Sequence, residues 1–173
     1  MSFTPDIQIF CCHYTSQQAI AEGADGLKED GLPAGATINR LPCSGKLRVS
    51  TLLKAFEDGA DGVCVVGCPA DKCHNVTGSQ RAAHRVLAVK KALAELGVEE
   101  ERIEMHHLER GFHPEFIDAA VAMNERVMGF GPSPFKDEET PAEKAPKKAA
   151  KKPAKKATTK AGKKPAKKGG KKK

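Results

Sequence analysis

Gly62-Val-Cys-Val-Val-Gly67 is an unbroken apolar run between two glycines, the pattern of a strand buried on both faces. Such a strand needs a hydrogen-bonded neighbour on each side and helices above and below it. The rest of the chain supplies both. Asp6 to Cys12 alternates and then closes on apolar residues, which predicts a first strand. Gly35 to Leu41 reads as a second strand through Thr37 and Ile38, leading into Pro42-Cys43, and Arg102 to Leu108 as a fourth. Ser16 to Leu27 is a candidate helix carrying Ala19, Ile20 and Ala24 at near-helical spacing. Ser50 to Asp58 predicts a short helix with Ser50 as its cap and Leu52, Leu53 and Phe56 on one face. Ser79 to Leu96 has the longest stripe, Ala82, Val86, Val89, Leu93 and Leu96, with Gly97 as its stop. Pro114 to Met128 completes the set, with Phe116, Ala120, Met123 and Val127 facing inward. Strands alternating with helices imply right-handed crossovers and a parallel sheet. The expected fold class is α/β, a small three-layer parallel sheet of flavodoxin-like type.

After Pro132 the character changes. The chain holds 29 Lys and Arg against 22 Asp and Glu. From Lys136 onward there are 16 Lys and four acids, which leaves 13 basic and 18 acidic residues before it. The basic balance therefore belongs to the C-terminal segment, and the domain itself is mildly acidic. The Lys-Lys-Pro-Ala-Lys-Lys units of 147–173 contain no large apolar residue and cannot offset their ordering entropy. Residues 1–132 are thus expected to form the domain and 133–173 a disordered Lys/Ala/Pro-rich tail. Its charge suits weak, salt-dependent contacts with nucleic acid or with an acidic protein surface. No aromatic residue interleaves the lysines, so base stacking is not offered. No window approaches the length of a membrane span, and the N-terminus lacks the pattern of a signal peptide. The expected location is the cytoplasm, where thiols stay reduced.

Six cysteines in a reducing compartment raise the question of metal or redox chemistry rather than of disulfides. Cys12 closes the first strand, Cys43 follows the second and Cys68 follows the third. In a parallel sheet those ends lie along one edge, the edge where open α/β sheets place their sites. Cys73 sits in the loop after Cys68, in reach of the same locus. Four thiolates together form the ligand set of zinc or of an iron–sulfur cluster. Backbone N–H groups in Cys43-Ser-Gly-Lys and Gly67-Cys-Pro-Ala-Asp-Lys-Cys73 are placed to point at the sulfurs, and Lys46, Arg48 and Lys72 to offset negative charge. Cys64 lies within a strand and is expected in the core. Cys11 points opposite to Cys12, so one of the two reaches the site. His13 and His74 adjoin the candidates and leave a mixed Cys/His site open, whereas His106, His107 and His113 read as surface or packing residues.

Phe10-Cys-Cys-His-Tyr14, Leu41-Pro-Cys-Ser-Gly-Lys46, Gly67-Cys-Pro-Ala-Asp-Lys-Cys-His74 and Gly78-Ser-Gln-Arg-Ala-Ala-His-Arg-Val86 together resemble the delta subunit of methyl-viologen-reducing hydrogenase. The resemblance runs through roughly residues 6 to 130. It implies a small subunit with a two-iron, two-sulfur cluster (2Fe-2S); the sequence itself shows no phosphate-cradling glycine pattern and no acid–base constellation, so no substrate-converting site is expected. Members of that family relay electrons between a hydrogenase, or another dehydrogenase, and the flavin-bearing A subunit of heterodisulfide reductase. The matching cysteines are Cys12, Cys43, Cys68 and Cys73. One position departs from the family: where it commonly has Cys-x-x-Cys, this chain has Cys12-His-Tyr-Thr15. An obligatory ligand at that position would have to be replaced by Cys11 or His13, or the cluster given up. The Lys-rich tail is also foreign to the family pattern.

Three other functions compete with this one. A zinc-stabilised interaction module would use the same four thiolates. A thiol–disulfide enzyme would work through Cys68 and Cys73 and needs one thiol of depressed pKa. Nucleic-acid binding would rest on the tail alone.

Overall fold

The computed structural model describes residues 3–15, 31–109 and 114–136. The expected helix at Ser16–Leu27, His113 and all but the first residues of the Lys-rich tail lie outside them. Four strands form one parallel sheet: β1 (Ile7–Cys12), β2 (Ala36–Leu41), β3 (Gly62–Gly67) and β4 (Ile103–His107). Their spatial order is β2-β1-β3-β4. The order matches the first four positions of a flavodoxin-like sheet. Three helices pack on it: α1 (Val49–Glu57), α2 (Gly78–Glu95) and α3 (Pro114–Phe130).

The glycine-bounded run Gly62–Gly67 is the buried interior strand that its composition requires. All six residues are buried, with β1 on one side and β4 on the other. Alternation then divides the core into two layers. Val63 and Val65 join Leu52 and Phe56 of α1 and Val86, Val89 and Leu93 of α2. Cys64 and Val66 join Phe116, Ala120, Met123 and Val127 of α3, together with Ile7, Ile9 and Cys11 of β1. A three-layer domain results.

Two details differ from the sequence reading. α1 begins one residue earlier than expected: Arg48 is its N-cap and makes no side-chain capping bond, so Ser50 lies inside the first turn. Leu96 is 65% exposed although it continues the apolar stripe of α2. It is the C-cap of that helix, and Gly97 at φ 74° turns the chain away before Leu96 can reach the sheet.

The amino-terminal edge of the sheet is closed by buried polar groups. Asp61, fully buried just before β3, accepts hydrogen bonds from the backbone N–H of Asp6 (2.8 Å) and of Ser133 (2.9 Å) and from Lys136 Nζ (2.9 Å). Arg102 is also buried and donates through Nη1 to the carbonyls of Asp61 and Gly131, both at 3.0 Å, and through Nε to Glu99. The domain's contacts therefore run past Pro132 to Lys136. Asp61→Ala would remove the acceptor of the buried Ser133 N–H and of the half-buried Asp6 N–H and should lower stability by about 3 kcal/mol, read as a reduced urea midpoint at unchanged m. A midpoint within experimental error of the parent would refute this account of the edge.

Candidate metal centre

Parallel registration brings the cysteines to one end. Cys12 pairs with Leu41 at the end of β1 and β2, while Cys11 pairs with Val66 near the end of β3. The residues just beyond these pairs, Cys43 and Cys68, are therefore carried to the same carboxyl-terminal edge as Cys12. Cys12 Sγ lies 3.9 Å from Cys68 Sγ, and both residues are buried. Cys43 caps a single 3-10 turn, Ser44–Lys46, and its sulfur accepts the Gly45 N–H at 3.3 Å. Cys73, half-buried, stands in the loop that leads to α2.

The start of α2 gathers the second pair. A Cβ at Gly78 would lie 2.6 Å from Cys43 Sγ and 3.5 Å from Cys73 Sγ, so both sulfurs converge on a position that only a glycine leaves open. On its other side Gly78 meets Gly45, whose own Cβ would stand 2.7 Å from the Gly78 Cα. Arg85, two turns along α2, fixes the Cys43 loop by donating through Nη1 to the carbonyls of Gly45 (2.8 Å) and Leu47 (2.5 Å). Ser79 donates its hydroxyl to the Cys68 carbonyl at 2.5 Å, and His107 Nδ1 lies 3.1 Å from that same oxygen. One helix end thus positions Cys43, Cys68 and Cys73.

Burial and the neighbouring Cys12 and Cys73 sulfurs push the Cys68 thiol up to about 11, against the lowering effect of the His74 backbone N–H on the same sulfur. A thiol held so high is a poor nucleophile at neutral pH, unlike the thiol of depressed pKa that disulfide exchange needs. It is suited to giving up its proton to a bound cation, whose charge replaces the missing solvation. The donor set is sulfur only, the set that zinc and iron–sulfur clusters select. Among the described residues, no three Cys, His, Asp or Glu side chains close around one point as a single ion requires. Cys12 Sγ lies against Cys68 Sγ, Cys43 and Cys73 both lie against Gly78, and Cys73 is also near enough to raise the Cys68 pKa.

The remaining candidates fall elsewhere. Cys11 and Cys64 lie on the opposite face of the sheet in the α3 core layer, and burial pushes Cys64 up to about 12. His13 contacts Arg40, and its ring meets Tyr14 edge-on at 5.4 Å; Tyr14 in turn lies against His74 at 4.2 Å. These rings make an outer cover beside an open hollow lined by His13, Tyr14, Arg40, Leu41 and Pro42. Lys46 and Arg48 are exposed, and Lys72 turns outward to Glu109. Thr15 is buried and hydrogen-bonds through its hydroxyl to the Cys12 carbonyl at 3.0 Å, so it locks the turn after β1. His106 is half-buried beside Glu104, and burial holds its pKa below the usual imidazole value.

Comparison with known proteins joins this geometry to a family. Residues 7–131 match the family described as methyl-viologen-reducing hydrogenase, delta subunit. The chain belongs to that family. It is 39% identical over 132 residues to the vhu iron-sulfur subunit of the F420-non-reducing hydrogenase of Methanocaldococcus jannaschii, covering 76% of this chain and 97% of that one. The corresponding protein of Methanococcus maripaludis is 36% identical over the same length, again 76% and 97% of the two chains. A 99-residue stretch, 57% of this chain, is 31% identical to part of the A subunit of the ferredoxin:CoB-CoM heterodisulfide reductase of Methanosarcina mazei, covering 12% of that longer protein. The delta-type domain is thus found alone and as a segment of a larger reductase chain.

Sequence reasoning did not find Ser79, Arg85 or His107. Gly78-Ser79 at the head of the longest stripe was a legible signal for a crowded helix start, whereas nothing in the pattern marks Arg85. Gly78→Ala would drive a methyl group into Cys43 Sγ and should cost about 1–3 kcal/mol in urea unfolding. Gly129→Ala, in α3 with open space around it, should be neutral or stabilising. Equal effects of the two would show that Gly78 is not crowded.

Proposed function

We propose that this member of the delta family is an electron-transfer protein carrying a two-iron, two-sulfur cluster on Cys12, Cys43, Cys68 and Cys73. The observation that carries the proposal is the convergence of four thiols, from three strand ends and the loop before α2, on one sheet edge. The iron–sulfur names of the relatives support it, as does the sulfur-only donor set. The 3.9 Å approach of Cys12 to Cys68 and the shared approach of Cys43 and Cys73 to Gly78 suit a binuclear cluster, which takes two thiolates on each metal.

When bound, such a cluster accepts and returns one electron. The residues around it hold and tune it. The Gly45 and His74 N–H groups point at the Cys43 and Cys68 sulfurs, which stabilises negative charge on them. The half-buried Cys73 brings one side of the site near solvent. A centre that close to the surface of a small domain suits electron exchange with larger partners. The partners we propose are a hydrogenase, or another dehydrogenase, as donor and a flavin-bearing protein like the heterodisulfide reductase A subunit as acceptor. The presence of a similar segment within such a reductase chain supports the second partner. Among the described residues no helix is long and apolar enough to cross a membrane.

The test is purification without oxygen, with iron and acid-labile sulfide measured per protomer and the visible spectrum recorded before and after dithionite. About two irons and two sulfides are expected, with absorption that bleaches on reduction. Cys68→Ser should lose most of the bound iron, whereas Cys64→Ser should keep it. A colourless protein holding zinc, or one with neither metal, would overturn the reading.

A further inference from the structure

Resting on that reading, we infer that the four ligands are divided by their place in the fold: Cys12 and Cys68 hold one iron, and Cys43 and Cys73 hold the other. Two thiolates on one tetrahedral metal, with bonds of about 2.3 Å, stand about 3.8 Å apart. Cys12 Sγ and Cys68 Sγ stand 3.9 Å apart. They come from the ends of neighbouring strands, β1 and β3, so sheet hydrogen bonding fixes their separation. Thr15 locks the backbone after Cys12, and Ser79 anchors the carbonyl of Cys68. The strands and these two anchors hold the pair at the separation one metal takes.

Cys43 and Cys73 form the second pair by a different route. Neither belongs to a strand, and they share contact with Gly78 at the start of α2. Arg85 fixes the Cys43 loop. The short segment from Cys73 to Gly78 is tied by bonds from the Val76 N–H to the Cys73 carbonyl (3.0 Å) and from the Gly78 N–H to the Asn75 carbonyl (3.2 Å). Val76 holds φ 54°, a left-handed conformation that β-branched residues rarely adopt, so the loop is bent to bring Cys73 back over the helix start. The two pairs therefore lie in unlike surroundings: Cys12 and Cys68 are buried at strand ends, whereas Cys43 and the half-buried Cys73 lie by the helix start, and irons held by them would differ accordingly.

Two histidines on one iron of such a cluster produce a Rieske-type centre, with unlike irons and a raised potential. The experiment compares three anaerobically reconstituted double variants by Mössbauer spectroscopy and redox titration: C43H/C73H, C12H/C68H and the crossed C12H/C43H. The pairing predicts two unlike iron doublets of equal area for each of the first two. The crossed variant should give two like irons, each with one nitrogen. The reverse pattern would overturn the pairing. If the double variants fail to assemble, the single serine variants decide. C12S and C68S should then shift the potential alike, and C43S with C73S should form a second, distinct group; any other grouping overturns the pairing. Iron and sulfide content of the parent protein is measured alongside. A parent without about two of each would refute the cluster itself, whereas a normal parent with crossed grouping would refute only the pairing.

Discussion

Hydrogen bonding of β3 to β1 and β4 is the constraint on which everything else rests. A strand with neighbours on both sides and helices on both faces has one permitted register, because a shift by one residue would exchange Val63 and Val65 with Cys64 and Val66 between the two core layers. With the register fixed, the ends of β1, β2 and β3 stop together. The positions just past them then become neighbours although they are tens of residues apart in sequence. Cys12 and Cys68 meet because sheet geometry brings the ends of β1 and β3 side by side.

The helix start adds what the sheet cannot. Strand ends alone give a row of groups, whereas a metal centre needs groups closing from another direction. α2 supplies that direction through Gly78, Ser79 and Arg85, which draw the Cys43 and Cys73 loops over the edge. The close approach of Gly45 to Gly78 shows how little space remains there. At the opposite edge, Asp61 and Arg102 join β3 and β4 to the chain after α3, so the demands of stability are met away from the cysteines.

Most of the fold was legible in the sequence because burial imposes periodicity. The run of β3 and the stripes of α2 and α3 are direct records of which faces are covered. What was not legible follows from contacts between distant segments. Arg85 acts on carbonyls 38 and 40 residues away, and the pattern of an amphipathic helix is silent about such bonds. Leu96 extends the stripe correctly by period but stands past the last residue that faces the sheet. The convergence of Cys12, Cys43 and Cys68 could be argued from strand ends, since parallel strands share polarity. The shared approach of Cys43 and Cys73 to Gly78 could not, because it depends on side-chain positions around that residue. His107 looked like a surface residue and is one, yet its ring reaches back to the Cys68 carbonyl.

Under the proposed function, Cys11 and Cys64 give the domain six thiols where four would serve, which would pose a problem of choice for arriving iron. Sheet alternation solves it. These two face the α3 layer, behind the strands, and Cys64 keeps its proton at any physiological pH. An ion at the carboxyl edge cannot reach them without unfolding the sheet, and a protonated thiol in an apolar layer offers it little. The same pleat that packs the core would thereby block misassembly of the proposed cluster by ligand scrambling.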